Sequence, residues 1–353
     1  MTKKHSDILI LGAGLSGLAL AYYLKKSKIN ALVVDARDRL GGRIHTTYRE
    51  GKASVEMGAT WFNSGHTALL SLLKELDLEY FEQHADTTAF YQVGAHQSPM
   101  QVPIPANQEG SYRIEGGSFR LIQTLASALD AEQLLLGDKV LSVQKVDEQM
   151  ITKTSALEVH SQAVVSTLPL NLMVSSVTFD PVLPQDLVAL SKQTHTWMGE
   201  SIKIGLRSRT AFWRKAQSTG TLFTNTGPLV EMYDHSDSEA SVYALKGFLH
   251  PHFYGLKKEE RKELIISQLR LLYGSDVDEL TDYEEYLWQD DEFTFAPYET
   301  PLMGHQNNGH PFFQEAYMEG GLFLAGTETA REFPGYMEGA VRKAMSTAKQ
   351  LLA

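Results

Sequence analysis

Short apolar runs recur along this chain, separated by longer stretches with a helical pattern. Residues 7–11 (Asp-Ile-Leu-Ile-Leu) and 163–168 (Ala-Val-Val-Ser-Thr-Leu) are mostly apolar, which is typical of parallel strands buried on both faces. Segments 31–35 and 322–325 have the same character. Residues 18–26 are rich in Leu, Ala and Lys and predict a helix between the first two strands. This alternation of strands and helices predicts an α/β fold.

The middle of the chain has a different pattern, with strands, a long helix and one polar, proline-bearing stretch. We expect residues 94–110 to form a loop, and the charged residues 259–263 to form a mostly solvated helix face. The remaining predicted elements are strands at 139–145, 156–160, 201–206 and 243–249, and helices at 115–128, 256–273 and from Tyr336 onward.

A glycine-rich turn follows the first strand directly: Gly12-Ala-Gly14-Leu-Ser-Gly17. The first glycine suits a tight turn, the second lets backbone N–H groups approach a pyrophosphate, and the third lets helix and strand pack closely. Asp35 follows Gly17 by 18 positions, close to the spacing of about 20 expected for a ribose-binding acid. A glycine turn without a ligand is the alternative, but strand, turn, helix, strand and acid all occur in the order that a dinucleotide site requires.

The order of the elements predicts that this nucleotide-binding unit is interrupted. Its first strands lie at the start of the chain, and its last strand and helix lie at the end. We therefore assign residues 1–80, 112–192 and 291–353 to a discontinuous Rossmann-like domain. Residues 81–111 and 193–290 are assigned to an inserted α+β domain.

A second glycine-containing turn follows Asp35, and a plain nicotinamide-binding fold does not need it. Its sequence is Arg37-Asp-Arg-Leu-Gly-Gly42-Arg43. The two glycines permit a second approach of the backbone to a cofactor, and Arg43 would then be a fixed cation beside a diphosphate. A solvated basic turn is the alternative interpretation.

Composition and charge narrow the possible functions. The chain has 353 residues, a net charge of −11 and no cysteine, so neither nucleic-acid binding nor thiolate chemistry is expected. Among the histidines, His250 and His252 flank a proline without acidic ligands at matching spacing, and no metal site is predicted. With neither a secretory signal nor an apolar stretch of about 20 residues, we expect a cytoplasmic protein without a membrane partner.

Several motifs together resemble the flavin-dependent amine oxidases of the monoamine oxidase group. Besides the two glycine turns, they are Gly58-Ala-Thr-Trp61, Gly116-Gly117, Ser201-Ile-Lys203, Phe212-Trp213, Trp288, Gly326-Thr-Glu-Thr-Ala330 and Gly335-Tyr-Met-Glu-Gly-Ala340. The resemblance spans nearly the whole chain. It implies a p-hydroxybenzoate-hydroxylase-like fold and FAD. It also implies oxidation of an amine to an imine, which hydrolyses to an aldehyde and ammonia or an amine, while oxygen is reduced to hydrogen peroxide.

The resemblance also implies which residues contact FAD. Asp35 corresponds to the ribose ligand, Arg43 to the diphosphate partner, Val140 to an adenine-side backbone contact, and Glu328 to the acid at the ribityl or diphosphate region. Met337 corresponds to the residue whose backbone N–H faces the pyrimidine edge of the flavin. The full set is Gly12, Gly14, Leu15, Ser16, Gly17, Asp35, Ala36, Arg37, Gly42, Arg43, Gly58, Ala59, Thr60, Trp61, Val140, Thr167, Gly326, Thr327, Glu328, Tyr336 and Met337.

Three residues are implied to act on the amine and on oxygen. Tyr336 and Tyr298 correspond to two tyrosines that flank the flavin face as an aromatic cage, and Lys203 to a lysine that holds water near flavin N5. Ten positions separate Tyr298 from Trp288, which is the spacing of the family. The alternatives are two core tyrosines and a lysine that reaches the surface.

The chain also departs from the family. Pro297 stands where the mitochondrial enzymes carry the cysteine bonded to FAD, so the flavin is expected to be non-covalent. Because the segment between Trp61 and Gly116 is short, we expect a reduced substrate domain, with a pocket that is more open or closed by a partner.

Two other functions remain open. One is an amino-acid oxidase or a desaturase, and Arg207, Arg209 and Arg331 are candidate cations for a substrate carboxylate. The other is a non-catalytic FAD-binding protein. The amine and oxygen are the expected small-molecule partners of the favoured function.

Overall fold

A computed structural model describes residues 2–84, 86–94, 99–105, 110–215 and 218–352. Within these ranges the chain forms 21 strands and seven α-helices, numbered here in chain order. The helices are α1 (Leu15–Lys26), α2 (Thr67–Glu75), α3 (Phe119–Ser127), α4 (Leu170–Ser176), α5 (Gln185–Lys192), α6 (Lys258–Tyr273) and α7 (Met337–Leu352).

A five-stranded parallel sheet forms the centre of the nucleotide-binding unit. Its strands are, in order across the sheet, β10 (Leu134–Leu135), β3 (Ala31–Val34), β2 (Ile8–Leu11), β14 (Ala163–Ser166) and β21 (Leu322–Leu324). Every neighbouring pair is parallel. The last strand of the chain therefore lies two positions from β2, and the predicted meeting of the two ends of the chain is confirmed.

Helices cover one face of this sheet. Ile8 and Ile10 of β2 point to the face where α1, α2, α3 and α7 bury their apolar residues in one cluster. Helix α1 packs against α7, so the first and last helices lie side by side. Burial of this shared cluster, rather than helix propensity, holds the two ends of the chain together.

A second five-stranded sheet covers the opposite face. Leu9 and Leu11 of β2 point into its cluster, because successive strand residues face opposite sides. The strands are, in order, β1 (Thr2–His5), β13 (Leu157–Ser161), β12 (Gln149–Thr154), β11 (Val140–Val146) and β15 (Thr178–Asp180). The sequence predicted β11 and β13 as strands of a small sheet, and the structure confirms both.

A seven-stranded sheet forms the third part of the protein. Its strands are, in order, β20 (Leu280–Leu287), β16 (Ile202–Ser208), β19 (Tyr243–Leu249), β18 (Leu229–Asp234), β17 (Leu222–Thr224), β7 (Thr88–Gln92) and β8 (Met100–Pro103). All seven strands fall within 81–111 and 193–290, the ranges assigned above to the inserted domain. The domain boundaries themselves stay a prediction.

Two short antiparallel pairs connect these sheets: β4 (Thr46–Thr47) with β5 (Val55–Glu56), and β6 (Tyr80–Glu82) with β9 (Tyr112–Ile114). Ala53, Val55 and Met57 pack against Ala244 of β19 in a small cluster. This contact places the segment that follows β5, residues 58–61, against the seven-stranded sheet.

One local prediction needs correction, and another has one exception. The expected loop at 94–110 contains β8, which pairs with β7 and so satisfies its backbone groups, while residues 95–98 and 106–109 lie outside the described ranges. The charged stretch of α6 is mostly solvated, as predicted, and the one exception among residues 259–263 is Arg261, which is buried. Its guanidinium forms a two-point ion pair with Glu285 on β20. Charge alone therefore does not mark a solvated face when the adjacent strand supplies a carboxylate.

Candidate functional site

Three adjoining cavities lie at the carboxyl ends of the parallel strands, where open α/β sheets bind ligands. The central cavity is lined by the glycine turns. The Val140 cavity shares Asp35 and Arg37 with it. The aromatic cavity shares Arg43 and Tyr336 with it. The three together form one elongated site that begins beside β11 and ends at the seven-stranded sheet.

The glycine turn between β2 and α1 is built by close backbone contacts. Gly12 has φ +107°, a conformation that favours glycine. A Cβ added at Gly17 would lie 2.0 Å from the carbonyl oxygen of Gly12, so only glycine lets α1 approach the turn. Gly14 occupies the N-cap position of α1, so no side chain caps the first N–H groups of this helix. Leu15 and Ser16 line the central cavity. The uncapped N-terminus of α1 is therefore suited to hold an anionic group.

Asp35 lies at the end of β3, on the wall between the central and Val140 cavities. Its carboxylate accepts hydrogen bonds from the backbone N–H of Ala13 (2.7 Å) and of Arg37 (2.9 Å). These two bonds fix the carboxylate, and each oxygen keeps acceptor capacity for a hydroxyl. The Arg37 guanidinium donates to Asp291 (2.5 Å) and Thr294 (2.7 Å), which holds it in place at the cavity wall.

Arg43 and Glu328 form a two-point ion pair between the two ends of the chain. The guanidinium nitrogens lie 2.5 and 2.8 Å from the two carboxylate oxygens, and the Glu328 side chain is 2% exposed. Arg43 also donates to the carbonyl of Trp197 (3.1 Å), and Glu328 accepts from the Trp197 N–H (3.3 Å). Glu328 thus holds Arg43 and Trp197 and does not line any of the three cavities, although the resemblance implied a direct contact with FAD.

The other predicted cofactor residues are distributed along the same site. The central cavity includes Gly12, Gly14, Gly42, Thr167 and Thr327; the Val140 cavity includes Ala36 and Val140; and the aromatic cavity includes Gly58, Thr60 and Trp61. Ala59, Tyr336 and Met337 line both the central and aromatic cavities. Gly17 and Gly326 line none of the three cavities. They lie behind the wall, where close packing excludes a side chain.

The N-terminus of α7 faces the junction of the central and aromatic cavities. Met337, its first residue, is buried at this junction. The Thr327 hydroxyl donates to the carbonyl of Tyr336 (2.7 Å) and accepts from the N–H of Gly335 (3.1 Å), which fixes the turn that leads into the helix. The partial positive charge of the helix N-terminus is therefore directed at whatever occupies the junction.

The aromatic partner of Tyr336 differs from the prediction. Its ring lies 5.8 Å from that of Trp197, and both contact the ring of His305. Tyr298 instead contacts His195 and Phe295, and its hydroxyl accepts the N–H of Thr196 (2.8 Å). Tyr298 therefore does not line the aromatic cavity with Tyr336 as predicted, because its hydroxyl and ring are held by Thr196, His195 and Phe295. Trp197, which sequence reasoning missed, lines the cavity beside Tyr336.

Lys203 lies on β16 at the far wall of the aromatic cavity. It is 5% exposed, and its ammonium donates to the carbonyl of Gly58 at 2.8 Å. Burial lowers the pKa of Lys203 to about 8, and the carboxylate of Glu56 opposes this shift. The side chain is thus directed into the protein rather than toward the surface, so the surface alternative is wrong.

A second buried lysine, Lys246 on β19, lies beside Lys203 and was also missed. Its ammonium donates to the hydroxyl of Thr60 and lies 4.5 Å from the centre of the Trp61 ring. Burial, followed by repulsion from Lys203, lowers the pKa of Lys246 well below the usual lysine value. The signal was visible in the sequence, because Lys246 interrupts an otherwise apolar strand pattern at 243–249.

None of the three arginines considered as carboxylate clamps lines the aromatic cavity. Arg207 is buried and pairs with Glu284, and Arg209 is exposed and pairs with Glu279. Arg331 lines a separate surface groove with Arg342 and Lys343. The structure therefore places none of these three arginines where it could bind a substrate carboxylate in the aromatic cavity.

The described residues provide neither a metal-binding cluster nor a membrane-spanning helix. Across the described ranges, no group of three or more His, Cys, Asp or Glu residues could hold a metal ion. In the same part of the chain, every helix is too short or too polar to cross a membrane.

Comparison with known proteins identifies the family. The profile of the family described as "Flavin containing amine oxidoreductase" matches residues 15–108 and 103–352. The chain is 24% identical to human amine oxidase [flavin-containing] B, over 98% of this chain and 86% of the relative. It is also 24% identical to amine oxidase [flavin-containing] A of Canis lupus familiaris, over 98% of this chain and 85% of the relative.

Solved structures show the same fold. A putrescine oxidase bound to putrescine superimposes with a TM-score of 0.86 at 22% identity, over 99% of both chains. Cyclohexylamine oxidase from Brevibacterium oxydans IH-35A superimposes with a TM-score of 0.85 at 18% identity, over 98% of both chains. Both similarities concern the fold, and the substrates named remain those of the two proteins.

The site fits FAD in its own right. The uncapped N-terminus of α1 suits a diphosphate, the buried Asp35 carboxylate suits ribose hydroxyls, and the three cavities in a row suit a long dinucleotide. Since the chain has no cysteine, a thioether bond between the protein and the flavin is excluded. The chain therefore belongs to the flavin-containing amine oxidoreductase family and is an FAD-dependent oxidoreductase that acts on amines.

Proposed function

We propose that this enzyme oxidises a small amine to its imine in the aromatic cavity and passes the electrons to oxygen, which becomes hydrogen peroxide. One observation supports this most strongly: the site continues from the uncapped helix α1 to a wall that carries Trp197, Tyr336 and the buried Lys203. Bound FAD supplies the chemistry, because it takes two electrons from the C–H bond next to the nitrogen and gives them to oxygen. The cysteine-free composition favours a reducing compartment, and we place the enzyme in the cytoplasm.

Distinct residues would hold each part of the cofactor. The first N–H groups of α1 and the cation of Arg43 face the place of the diphosphate, and Asp35 that of the ribose. The backbone of Val140 lines the cavity for the adenine. The N-terminus of α7 at Met337 directs partial positive charge toward the pyrimidine edge, where a reduced flavin is negative.

The aromatic residues would position the amine. Trp197, Tyr336, Trp61 and Trp288 line the cavity with apolar ring faces, which exclude water and orient a small amine. No general base is needed at the nitrogen when the amine binds without its proton. Turnover is therefore expected to rise with pH as the substrate loses that proton.

Anaerobic titration of the FAD-loaded protein with a panel of amines tests this function. We expect at least one amine to bleach the flavin absorption, and readmitted air to restore it with release of hydrogen peroxide. A desaturase would bleach with a substrate that lacks the amine, and an amino-acid oxidase would bleach only with amino acids. A protein in which FAD is structural would keep its colour with every compound.

The aromatic cavity allows a direct comparison between Trp197, which lines it beside Tyr336, and Tyr298, which does not line it. We expect Trp197→Leu to lower kcat/KM for the amine about ten-fold, the equivalent of roughly 1–1.5 kcal/mol of lost aromatic contact. Tyr298→Leu removes a ring that does not line the cavity, so kcat/KM should change about three-fold or less. Steady-state kinetics with matched FAD content measures both. A larger loss for Tyr298→Leu would restore the pair of tyrosines implied by the resemblance.

Lys203 is expected to assist oxygen reduction while it carries its proton. Because its pKa lies near 8, below the usual lysine value, the ammonium form dominates below pH 8 and is lost above it. Stopped-flow reoxidation of the reduced enzyme should therefore slow as pH rises through about 8. Lys203→Met should slow reoxidation at least about ten-fold at neutral pH and remove this pH dependence. Reoxidation of the variant at the wild-type rate would reject the role.

A further inference from the structure

A surface groove separate from the cofactor cavities carries a high density of cations. It runs between α2 and α7, is bounded by the loop that follows Thr329, and shares no described lining residue with the three cavities. Its charged lining residues are Arg331, Glu332, Arg342, Lys343 and Lys349. Four cations against one acid are unexpected in a chain whose net charge is −11, so the groove needs an explanation.

Arg342 is neutralised by two carboxylates and serves the fold. Its guanidinium pairs with Glu338 (2.6 Å) and with Glu332 (3.0 Å). Glu338 in turn accepts two backbone N–H groups in the first turn of α2. Because this turn of α2 is already satisfied, any affinity of the groove for an anion must come from the remaining side chains.

The remaining cations are Arg331, Lys343 and Lys349, and within the described ranges none of the three forms an ion pair. Arg331 and Lys349 are exposed, whereas Lys343 is only 6% exposed. The Lys343 ammonium donates to the carbonyl of Phe313 (3.3 Å) and to the side-chain oxygen of Gln314 (3.0 Å). These bonds leave one of its three N–H groups for another acceptor. A buried ammonium without a carboxylate is rare, because burial removes hydration that an opposite charge would replace.

Arg331 and Lys343 are close enough to repel each other. Burial and, after it, repulsion from Arg331 lower the pKa of Lys343 to about 8, so the ammonium keeps its proton at pH 7. An anion bound between the two would relieve this repulsion. The four cations of the groove face the carboxylates of Glu332 and Glu338, which leaves an excess of two positive charges, the charge of one dianion.

We propose that this groove binds the phosphate group of a small molecule through Arg331, Lys343 and Lys349. A phosphate accepts hydrogen bonds on several oxygens that point in different directions, whereas a carboxylate offers two oxygens in one plane. The groove supplies donors from several directions: a guanidinium from the loop, two ammonium groups from α7, and the hydroxyl groups of Ser71 and Ser346. This site is distinct from that of FAD and does not depend on the amine oxidation proposed above.

A free molecule that carries the phosphate is favoured over a phospholipid headgroup in a membrane. The whole chain has a net charge of −11, so an anionic membrane surface would repel the protein as it approaches. A small phosphate compound meets only the local excess of positive charge in the groove, because exposed charges farther away than about 8–10 Å are largely screened by salt.

Isothermal titration calorimetry of the FAD-loaded protein with inorganic phosphate at pH 7 tests this site. FAD is kept bound so that its own diphosphate occupies the anion site at the N-terminus of α1. We expect one phosphate to bind per chain, with a dissociation constant that rises as sodium chloride is added, because charge holds the ligand. Glycerol 3-phosphate should bind as well, and vesicles of phosphatidylcholine with phosphatidic acid should not retain the protein.

Substitutions in the groove should weaken phosphate binding in proportion to the charge they change. Arg331→Met should raise the dissociation constant about ten-fold or more, the loss expected for a hydrogen bond between charged groups. Ser346→Asp, which adds a carboxylate to the groove, should weaken binding by a similar factor. Arg331→Glu/Lys349→Glu reverses two charges and should abolish saturable binding. Arg120→Met is the matched control, because it removes an exposed arginine of α3 that does not line the groove, and it should keep the wild-type affinity.

A purely structural role of these cations is the competing explanation, since Lys343 holds the segment of Phe313 and Gln314 by hydrogen bonds. The inference is overturned if phosphate gives no saturable heat with wild type, or if Arg331→Met binds it as tightly as Arg120→Met does. It is also overturned if the vesicles retain the protein while glycerol 3-phosphate does not bind, because the groove would then serve a membrane surface. Arg331 and Ser346 are exposed, so their variants should keep wild-type stability and FAD content, which denaturant unfolding and the flavin absorbance verify.

Discussion

Gly17→Ala is expected to give a colourless protein that retains little FAD after desalting. The added Cβ would lie 2.0 Å from the Gly12 oxygen and 3.2 Å from the side chain of Ile10. Since the Gly12 oxygen belongs to the backbone, relief requires α1 to move away from β2, and the diphosphate-binding N–H groups move with it. We expect a loss of about 3 kcal/mol in the free energy of unfolding of the FAD-free protein.

Gly255→Ala is the matched control for this experiment. Gly255 lies in the loop before α6, its φ is not left-handed, and nothing lies within 4 Å of an added Cβ. Stability should stay within about 0.5 kcal/mol of wild type, with full FAD content. Denaturant unfolding and the ratio of flavin to protein absorbance measure both properties. Normal FAD content in Gly17→Ala would show that the glycine turn is not the anion site.

Much of the nucleotide-binding unit could be predicted because its signals are local. The strand at 7–11, the three glycines and the acid at Asp35 lie within one stretch, and each has a physical reason that depends on near neighbours alone. Pairing of β21 with β14 is not local. The order of the elements predicted that the last strand belongs to this unit, but the strand beside which it lies was learned only from the structure.

The aromatic wall shows where prediction from the sequence failed. Tyr298 was placed by its spacing from Trp288, but spacing cannot specify the path of an irregular segment between them. That path depends on tertiary contacts: the Tyr298 hydroxyl meets the Thr196 N–H, and Gly335 leaves room for the Trp197 side chain. An added Cβ at Gly335 would lie 2.6 Å from the Cβ of Trp197, so the glycine before Tyr336 is itself part of this wall.

Lys246 was missed for a different reason. Its strand was predicted correctly, but a lysine in an apolar strand does not reveal which face it occupies or what covers it. Only the register of β19 against β16 brings it to the same carbonyl as Lys203. A buried charge is thus visible in sequence as an irregularity, while its function depends on neighbours that are distant in the chain.

The pair of Arg43 and Glu328 is expected to couple stability with cofactor binding. Glu328→Leu alone leaves the Arg43 guanidinium without its carboxylate and the Trp197 N–H without its acceptor. Because removing one partner leaves the other charge without a counter-ion, we expect a loss of about 3–5 kcal/mol in the free energy of unfolding. Arg43→Met should lose a similar amount and also bind FAD more weakly, since its cation faces the place of the diphosphate.

The double variant Arg43→Met/Glu328→Leu should be more stable than the sum of the two losses predicts, by about 2–3 kcal/mol, because no uncompensated charge remains. The pair of Arg261 and Glu285 is a control with the same two-point geometry between α6 and β20, although its arginine is less exposed (6%) than Arg43 (22%). The corresponding single and double variants of this control pair should show a comparable departure from additivity in the free energy of unfolding, without a change in FAD affinity. Additive losses at Arg43 and Glu328 would show that the ion pair orients Trp197 without helping to hold the two ends of the chain together.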